Sequence, residues 1–420
     1  MLSSIVNGIF SGVSIGAVLL IVALGLAIVF GLMGVINLAH GELMMLGAYT
    51  TFVVQNGFKL LGDDLRGYYI WFALPAAFVV AAIAGIILER TVIRLLYGRP
   101  LETLLATWGV SLILQQFIRS GSWMLAICIG VFCGLLLGGR MGIARFANLG
   151  PRQKLANLVI LLLSGAIAVT LGVLLSGNDA LASPWFGPRG QDVTAPGWLQ
   201  SGLDVSAAIG SLAVWVSNSA SFLGGGVVSA LEGLANSLDG VYFPYARLFI
   251  IALTALCLFG VYWFLQKSAW GLRIRAVTQN RGMSACLGIP TERVDALTFA
   301  LGSGLAGLAG CAVTLLGSVK PELGQDYIVD AFMVVVVGGV GKLIGSIVAA
   351  LIIGIVSYVV GAGILVLILP PIEGLQPLID TATFFATTNM AKVLVFALIV
   401  VFLQIKPAGL FPQKGRSVEV

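Results

Sequence analysis

A chain of 420 residues that is 59% hydrophobic and 10% charged, with mean hydropathy +1.05, does not fold as a water-soluble globule. Its formal charge of +5 is no argument for a nucleic-acid partner, because in a membrane protein Lys and Arg mainly mark the loops kept on the cytoplasmic side. Apolar runs of about 20 residues recur, too long and too uniform for barrel strands. The expected fold is therefore all-α: a polytopic transmembrane helical bundle, with broken or half helices where the 54 glycines permit them.

The first ten residues, MLSSIVNGIF, carry no basic segment, and no clear cleavage site follows them. They read as the start of a retained span. Residues 5–56 hold two predicted spans whose junction falls near Gly31 to Glu42. There GLMGVINLAHGELMMLGAY sets Asn37, His40 and Glu42 among apolar neighbours. At membrane depth such groups line a substrate pathway or pair with one another; in an interfacial turn they would merely meet water. Both readings stand on sequence alone.

A span follows at 69–93, then a basic stretch from Glu89 to Arg99. The span at 101–118 opens behind Pro100, with Glu102 placed to suit the helix dipole. Along it Trp108, Ser111, Gln115 and Gln116 fall at helical spacing. This polar face could hydrogen-bond a small neutral solute, which makes Trp108 and Gln115 pathway candidates, or could bond neighbouring helices. Further spans are expected at 121–138 and 155–176, separated by the basic Arg140 to Lys154. Residues 206–239 are too weakly apolar to cross and read as an outward amphipathic excursion.

Four more spans are expected at 244–266, 294–317, 343–361 and 389–406. The run from Ile328 to Gly341 is too short to cross comfortably and is expected as a half-helix or broken crossing. Basic segments Lys267 to Arg293 and Lys406 onward join the earlier two on the cytoplasmic side. The neutral or acidic loops Gly57 to Tyr68, Gly177 to Asp204, Val319 to Tyr327 and Gly361 to Asn389 face outward, so the C-terminus is cytoplasmic. Gly-spaced stretches at 25–47 and 302–345 hint at two related halves. No boundary divides the chain, which is expected to form one permease domain over 1–420.

Chemistry of an enzymatic kind has no residues to rest on. The GGVGK string ending at Lys342 lacks the first glycine and the final Ser or Thr of a phosphate loop, since Val336 and Leu343 occupy those places. Paired carboxylates, a Ser/His/Asp set and metal-ligand spacing are absent, and no cofactor is expected. Cys128, Cys133, Cys257, Cys286 and Cys311 read as buried thiols. Any ATP-driven step must then draw on another polypeptide. The segment from Ser268 to Pro290, basic and glycine-bounded, with small residues at Ala276 and Ala285, looks like a place for that polypeptide to dock.

These residues resemble the permease subunits of ABC importers for branched-chain amino acids, and most closely the urea and short-chain amide branch. The likeness is carried by GLAIVFGLMGVINLAHGELMMLGAY (25–49), RPLETLLATWGVSLILQQ (99–116), PYARLFI (244–250), the run from Trp270 to Cys311, GQDYIVDAFMVVVVGGVGKLIG (324–345) and AKVLVFALIVVFLQIKPAGLFPQKGR (391–416). It implies a bacterial inner-membrane importer assembled from this chain, a related second permease, two cytoplasmic ATPase subunits and an extracytoplasmic solute-binding protein. It also implies a coupling role for Trp270, Gly271, Arg273, Arg275, Ala276, Asn280, Ala285, Gly288 and Ile289. Residues 120–176 look like an added helical hairpin, and 206–240 like a lengthened outward loop. Urea is the expected solute, with branched-chain amino acids as the alternative; an ion-coupled carrier or channel using His40 and Glu42 and a structural scaffold are the rivals.

Overall fold

The computed structural model describes residues 2–62, 67–135 except 123, 126 and 133, 152–175, 191–219, 233–237 except 234, 239–364 except 340, 383–384, and 388–411 except 408. The first apolar run, uninterrupted by charge or proline, forms one helix, α1 (Leu2–Met33). Gly34, at φ +68°, ends it in a left-handed turn open to glycine. After a short connection come α2 (His40–Leu61), α3 (Tyr69–Thr91) and α4 (Pro100–Ser120). Beyond these lie α5 (Arg152–Leu175) and α6 (Val205–Ser219). The remainder is α7 (Tyr245–Lys267), α8 (Ala269–Gln279), α9 (Arg281–Cys286), α10 (Thr291–Val313), α11 (Leu323–Gly338), α12 (Leu343–Gly361) and α13 (Thr388–Ile405).

Among the described residues six helices are long and apolar enough to cross a membrane: α1, α3, α4, α7, α10 and α12. The chain is a multi-pass helical membrane protein, as its composition requires. Two compact units emerge, one built from Met1–Ser111 with Asp192–Val420 and the other from Leu112–Gln191. In the second unit the helical residues 127–132 lie along α5, where Cys128 Sγ would stand 3.4 Å from a Cβ on Gly172. Gln115 is buried in this unit.

In the first unit two helix triplets pack reciprocally. Helix α3 lies along α10 as α12 lies along α1, and α1 and α10 cross each other. Small residues set the crossing: a Cβ on Gly302 would come within 2.8 Å of the Gly25 carbonyl, and one on Gly25 would overlap the Gly302 carbonyl in turn. Such close approach replaces the hydrophobic drive that lipid does not supply. Gly302 is the central residue of the 23-residue α10, which puts this crossing at mid-span. A second reciprocal contact joins the first turns of α2 and α11, at Gly41 and Gly324. The weak sequence likeness of 25–47 and 302–345 is thus matched by equivalent packing.

Direction follows from the ends. Asn7 of α1 donates to the Gly240 carbonyl at 2.9 Å and accepts from Tyr242 N at 3.1 Å, so α1 starts where α7 starts. The other end of α7 leads through α8 and α9 into the start of α10, so α1 and α10 run antiparallel.

Several expectations need correction. Helix α11 begins at Leu323, inside the stretch expected as a loop from Val319 to Tyr327, because its first turn is held against α2 by the glycine pair. The excursion expected over 206–239 contains helix α6, and a short antiparallel ribbon of Gly202–Asp204 with Tyr242–Pro244 closes its base; three-residue strands leave no periodic trace in sequence. Not every cysteine is a buried thiol: Cys257 and Cys311 are, Cys128 is half-buried and Cys286 is exposed at the end of α9. Cys133 and the loops expected at 140–151 and 365–382 lie outside the described residues.

Candidate functional site

At the mid-span crossing the structure brings together Asn37, His40 and Glu42, with at most 1% of each exposed. The interfacial-turn reading is therefore wrong, since none of the three meets water. Asn37 Oδ1 accepts from Ala39 N at 3.0 Å, a local turn that launches α2 where no side chain caps the helix. His40 Nε2 lies 3.2 Å from the Val22 carbonyl of α1. A carbonyl only accepts, so this nitrogen carries the proton and Nδ1 is left bare. Glu42 sits in the first turn of α2, where the helix dipole favours a carboxylate, and Oε1 accepts from Ser111 Oγ of α4 at 2.9 Å. Thr107, one turn earlier on α4, accepts from Leu38 N at 3.2 Å.

Asn37 Nδ2, His40 Nδ1 and Glu42 Oε2 have no hydrogen-bond partner among the described residues. Buried polar atoms are nearly always partnered, so three together mark a place held by packing against an energetic cost. Of the polar face expected on α4, only Ser111 and Thr107 reach this group. Trp108 is half-exposed on the far side of the helix.

A second site forms between α7 and α10. Ser268 caps α8, its Oγ accepting from Gly271 N at 2.9 Å. Gly271 itself is buried, because any side chain there would strike the carbonyls of Phe264 and Leu265 at the end of α7. Ile274, Val277 and Val294 form a small core that fixes the segment to α10. The expected single short helix is in fact two: Asn280 leaves the helical region at φ −153° and ψ 101°, and its side chain accepts from Met283 N at 2.9 Å to start α9. Gly288, at φ +79°, turns the chain after α9.

What this segment presents outward is distinctive. Leu272, Met283 and Leu287 are each at least 59% exposed, beside the exposed Arg273, Arg275, Ala285 and Cys286. Arg273 stacks over the Trp270 ring at 4.8 Å and Arg275 binds Gln266 Oε1 at 3.1 Å, which fixes both guanidinium groups without removing them from the surface. Ala276 and Ile289 are half-buried. An apolar patch rimmed by held cations is the surface of a contact for another protein.

The residues that brace this segment escape a reading of the linear chain. Arg281 pairs with Asp295 of α10 at 2.6 Å and lies over the Tyr97 ring at 4.6 Å, while Arg94 pairs with Glu292. Burial, together with the nearby Asp295 and Glu89 charges, pushes the Tyr97 phenol far above its usual range, so it stays protonated. The turn between α3 and α4 is thereby latched to the segment between α8 and α10. Tyr97 and Arg281 are far apart in sequence, and only the glycine turn at Gly98, φ +82°, hints that the chain folds back there.

The family model described as the permease component of the branched-chain amino acid transport system matches residues 8–125 and 110–403. The chain belongs to this family. It is a permease subunit of an ABC importer, and members of the family work with ATPase and solute-binding partners. The permease is 23% identical over 403 residues to the high-affinity branched-chain amino acid permease protein LivH of Salmonella typhimurium, covering 96% of this chain and 93% of the relative. To BraD of Pseudomonas aeruginosa, named for the same transport, it is 23% identical over 82% of each chain. The ribose import permease RbsC of Bacillus subtilis is 33% identical over 24% of this chain and 34% of its own length. No solved structure matches the chain. The lean toward urea drawn from sequence wording finds no support in these relatives.

Proposed function

We propose that this permease carries branched-chain amino acids, as one of a pair of related permeases served by two cytoplasmic ATPase subunits and an extracytoplasmic binding protein. The observation that carries the substrate reading is the nearly full-length match to LivH, in contrast to the short match to the ribose permease. The exposed patch on α8 and α9 is the seat of the ATPase, with Arg273 and Arg275 at its rim. That end of α7 faces the cytoplasm, in keeping with the basic run from Lys267 to Arg293.

Transport proceeds by alternating access. Movement of the seated segment passes through the Arg281 and Arg94 ion pairs into α10 and α3, and from α10 to its crossing with α1. There the bare atoms of Asn37, His40 and Glu42 gain partners when the crossing opens. Contacts must differ between the two states for coupling to exist. We place the hairpin at 120–176 and the excursion at 206–240 outside this core mechanism.

Uptake of labelled leucine and labelled urea, compared in cells with and without the permease, tests the substrate. Leucine uptake is expected to depend on the chain and urea uptake not; the reverse would restore the amide reading. Arg273→Glu with Arg275→Glu should lower leucine uptake while the permease pair still assembles. Unchanged uptake would remove the segment from the mechanism. Uptake by the purified chain alone, without ATP, would instead favour a self-sufficient carrier.

A further inference from the structure

At the end of the first unit opposite the coupling segment lies a cavity of about 560 Å³ that no part of the mechanism above uses. Its place is fixed by Tyr358, which lines it and carries Arg247 from the start of α7 over its ring at 5.9 Å. The size falls within the range of about 300–1,000 Å³ common for small-molecule sites. Helix α1, the turn from α10 into α11, the end of α12 and the start of α13 form its walls. One side is aliphatic, with Leu19, Val313 and Leu323. The other holds two cations and two anions.

Those charges are arranged in two pairs of unequal strength. Lys320 meets Asp326 at 2.7 Å, a full ion pair. Lys392 stands 3.8 Å from Asp330, beyond hydrogen-bond reach, and donates to the Asp326 carbonyl at 3.3 Å. The carboxylate of Asp330 is the least exposed of the four side chains, at 19%, while Lys392 is 44% exposed. A loosely closed pair beside an aliphatic wall selects by charge pattern. A lone anion that took Lys392 would strand the buried Asp330, and a lone cation would strand the lysine; either leaves an unpaired charge. An uncharged amide cannot replace an ion pair. A zwitterion can, because its carboxylate takes the lysine as its ammonium takes the aspartate, and no net charge is left behind.

We propose that this cavity binds a free α-amino acid with an aliphatic side chain, held between Lys392 and Asp330 with its side chain on the wall of Leu19, Val313 and Leu323. The proposal deepens the amino-acid reading given above and rests on it: the cavity is a receiving site on the side from which solute arrives. A zwitterionic lipid headgroup presents the same paired charges without the short aliphatic branch, and the test separates the two sources.

The purified full-length permease in phosphatidylcholine nanodiscs is titrated with L-leucine by saturation-transfer NMR, alongside isovalerate, isopentylamine, urea and glycerophosphoethanolamine. Leucine is expected to bind and the other four to fail as competitors. The double variant Lys392→Met/Asp330→Asn keeps the charge balance and is expected to weaken leucine about tenfold or more. No leucine binding, equal binding by the double variant, or displacement by glycerophosphoethanolamine overturns the proposal. Where the double variant does not elute as folded protein, Asp330→Glu keeps the pair but moves its carboxylate by one carbon; unchanged leucine affinity there overturns the proposal too. Leucine binding that the variant loses, in a chain whose deletion leaves cellular leucine uptake intact, would support the cavity and sink the transport substrate.

Discussion

Arg281→Met isolates what the latch on the coupling segment contributes. Asp295 is 7% exposed in its side chain and faces Arg281 at 2.6 Å, while Arg281 is 48% exposed and also lies over Tyr97. Removing one member of a fully buried pair costs about 3–5 kcal/mol, and a solvent-exposed pair contributes about 0–1 kcal/mol. With one partner buried and the other half in water, the loss should be about 2 kcal/mol, roughly a thirtyfold shift in the unfolding equilibrium. The charge-balanced double variant Arg281→Met/Asp295→Asn removes the stranded carboxylate and should regain more than half of that. Thermal denaturation of the detergent-solubilised permease reads both. Leucine uptake, by contrast, should stay low in the double variant, because the link from α9 to α10 is still missing. A single variant as stable as the wild type, or a double variant that recovers uptake along with stability, would refute the assignment of Arg281 to force transmission.

Other consequences can be checked in the same preparations. Gly302→Val forces a side chain against the Gly25 carbonyl and Val29, and should destabilise by about 1–3 kcal/mol, lowering the yield of folded protein; wild-type yield would mean that the crossing is loosely packed. Ser111→Ala takes away the hydrogen bond to Glu42 Oε1, at a cost of about 1–3 kcal/mol for a buried acceptor left alone, read as a lowered melting temperature that Ser111→Thr should not show. Asn280→Ala removes the cap of α9 and should cost about 1 kcal/mol, with faster proteolysis between Gln279 and Met283 as the readout; Asn280→Asp should protect that bond as the wild type does.

Hydropathy located the helices well because lipid demands a long apolar run for each crossing, as in α7 and α12. Residue pattern was weaker where packing decides. The start of α11 follows from the contact of Gly324 with Gly41, which no local signal encodes. Asn37, His40 and Glu42 stand out in the chain as polar residues in an apolar setting, yet only the fold shows that α1 and α4 enclose them. Trp108 was drawn in by its spacing from Ser111, but the side of α4 it occupies is set by the neighbours of that helix. The latch residues gave no signal at all, since Arg94, Arg281 and Asp295 are ordinary charges beside a membrane until the fold joins them. Lys320 and Asp326 belonged to what read as a plain outward loop.

The ribbon of Gly202–Asp204 with Tyr242–Pro244 brings residues 201 and 245 into hydrogen-bond contact, Tyr245 N donating to the Ser201 carbonyl at 3.0 Å. A clamped neck of this kind isolates the mechanics of whatever it carries: residues 205–241 can change length or identity while the start of α7 keeps its anchor. For the experimenter this is a natural graft point, where an epitope or reporter would leave the helical machinery untouched. For the lineage it is a place where new surface can be acquired without retuning the machine beneath.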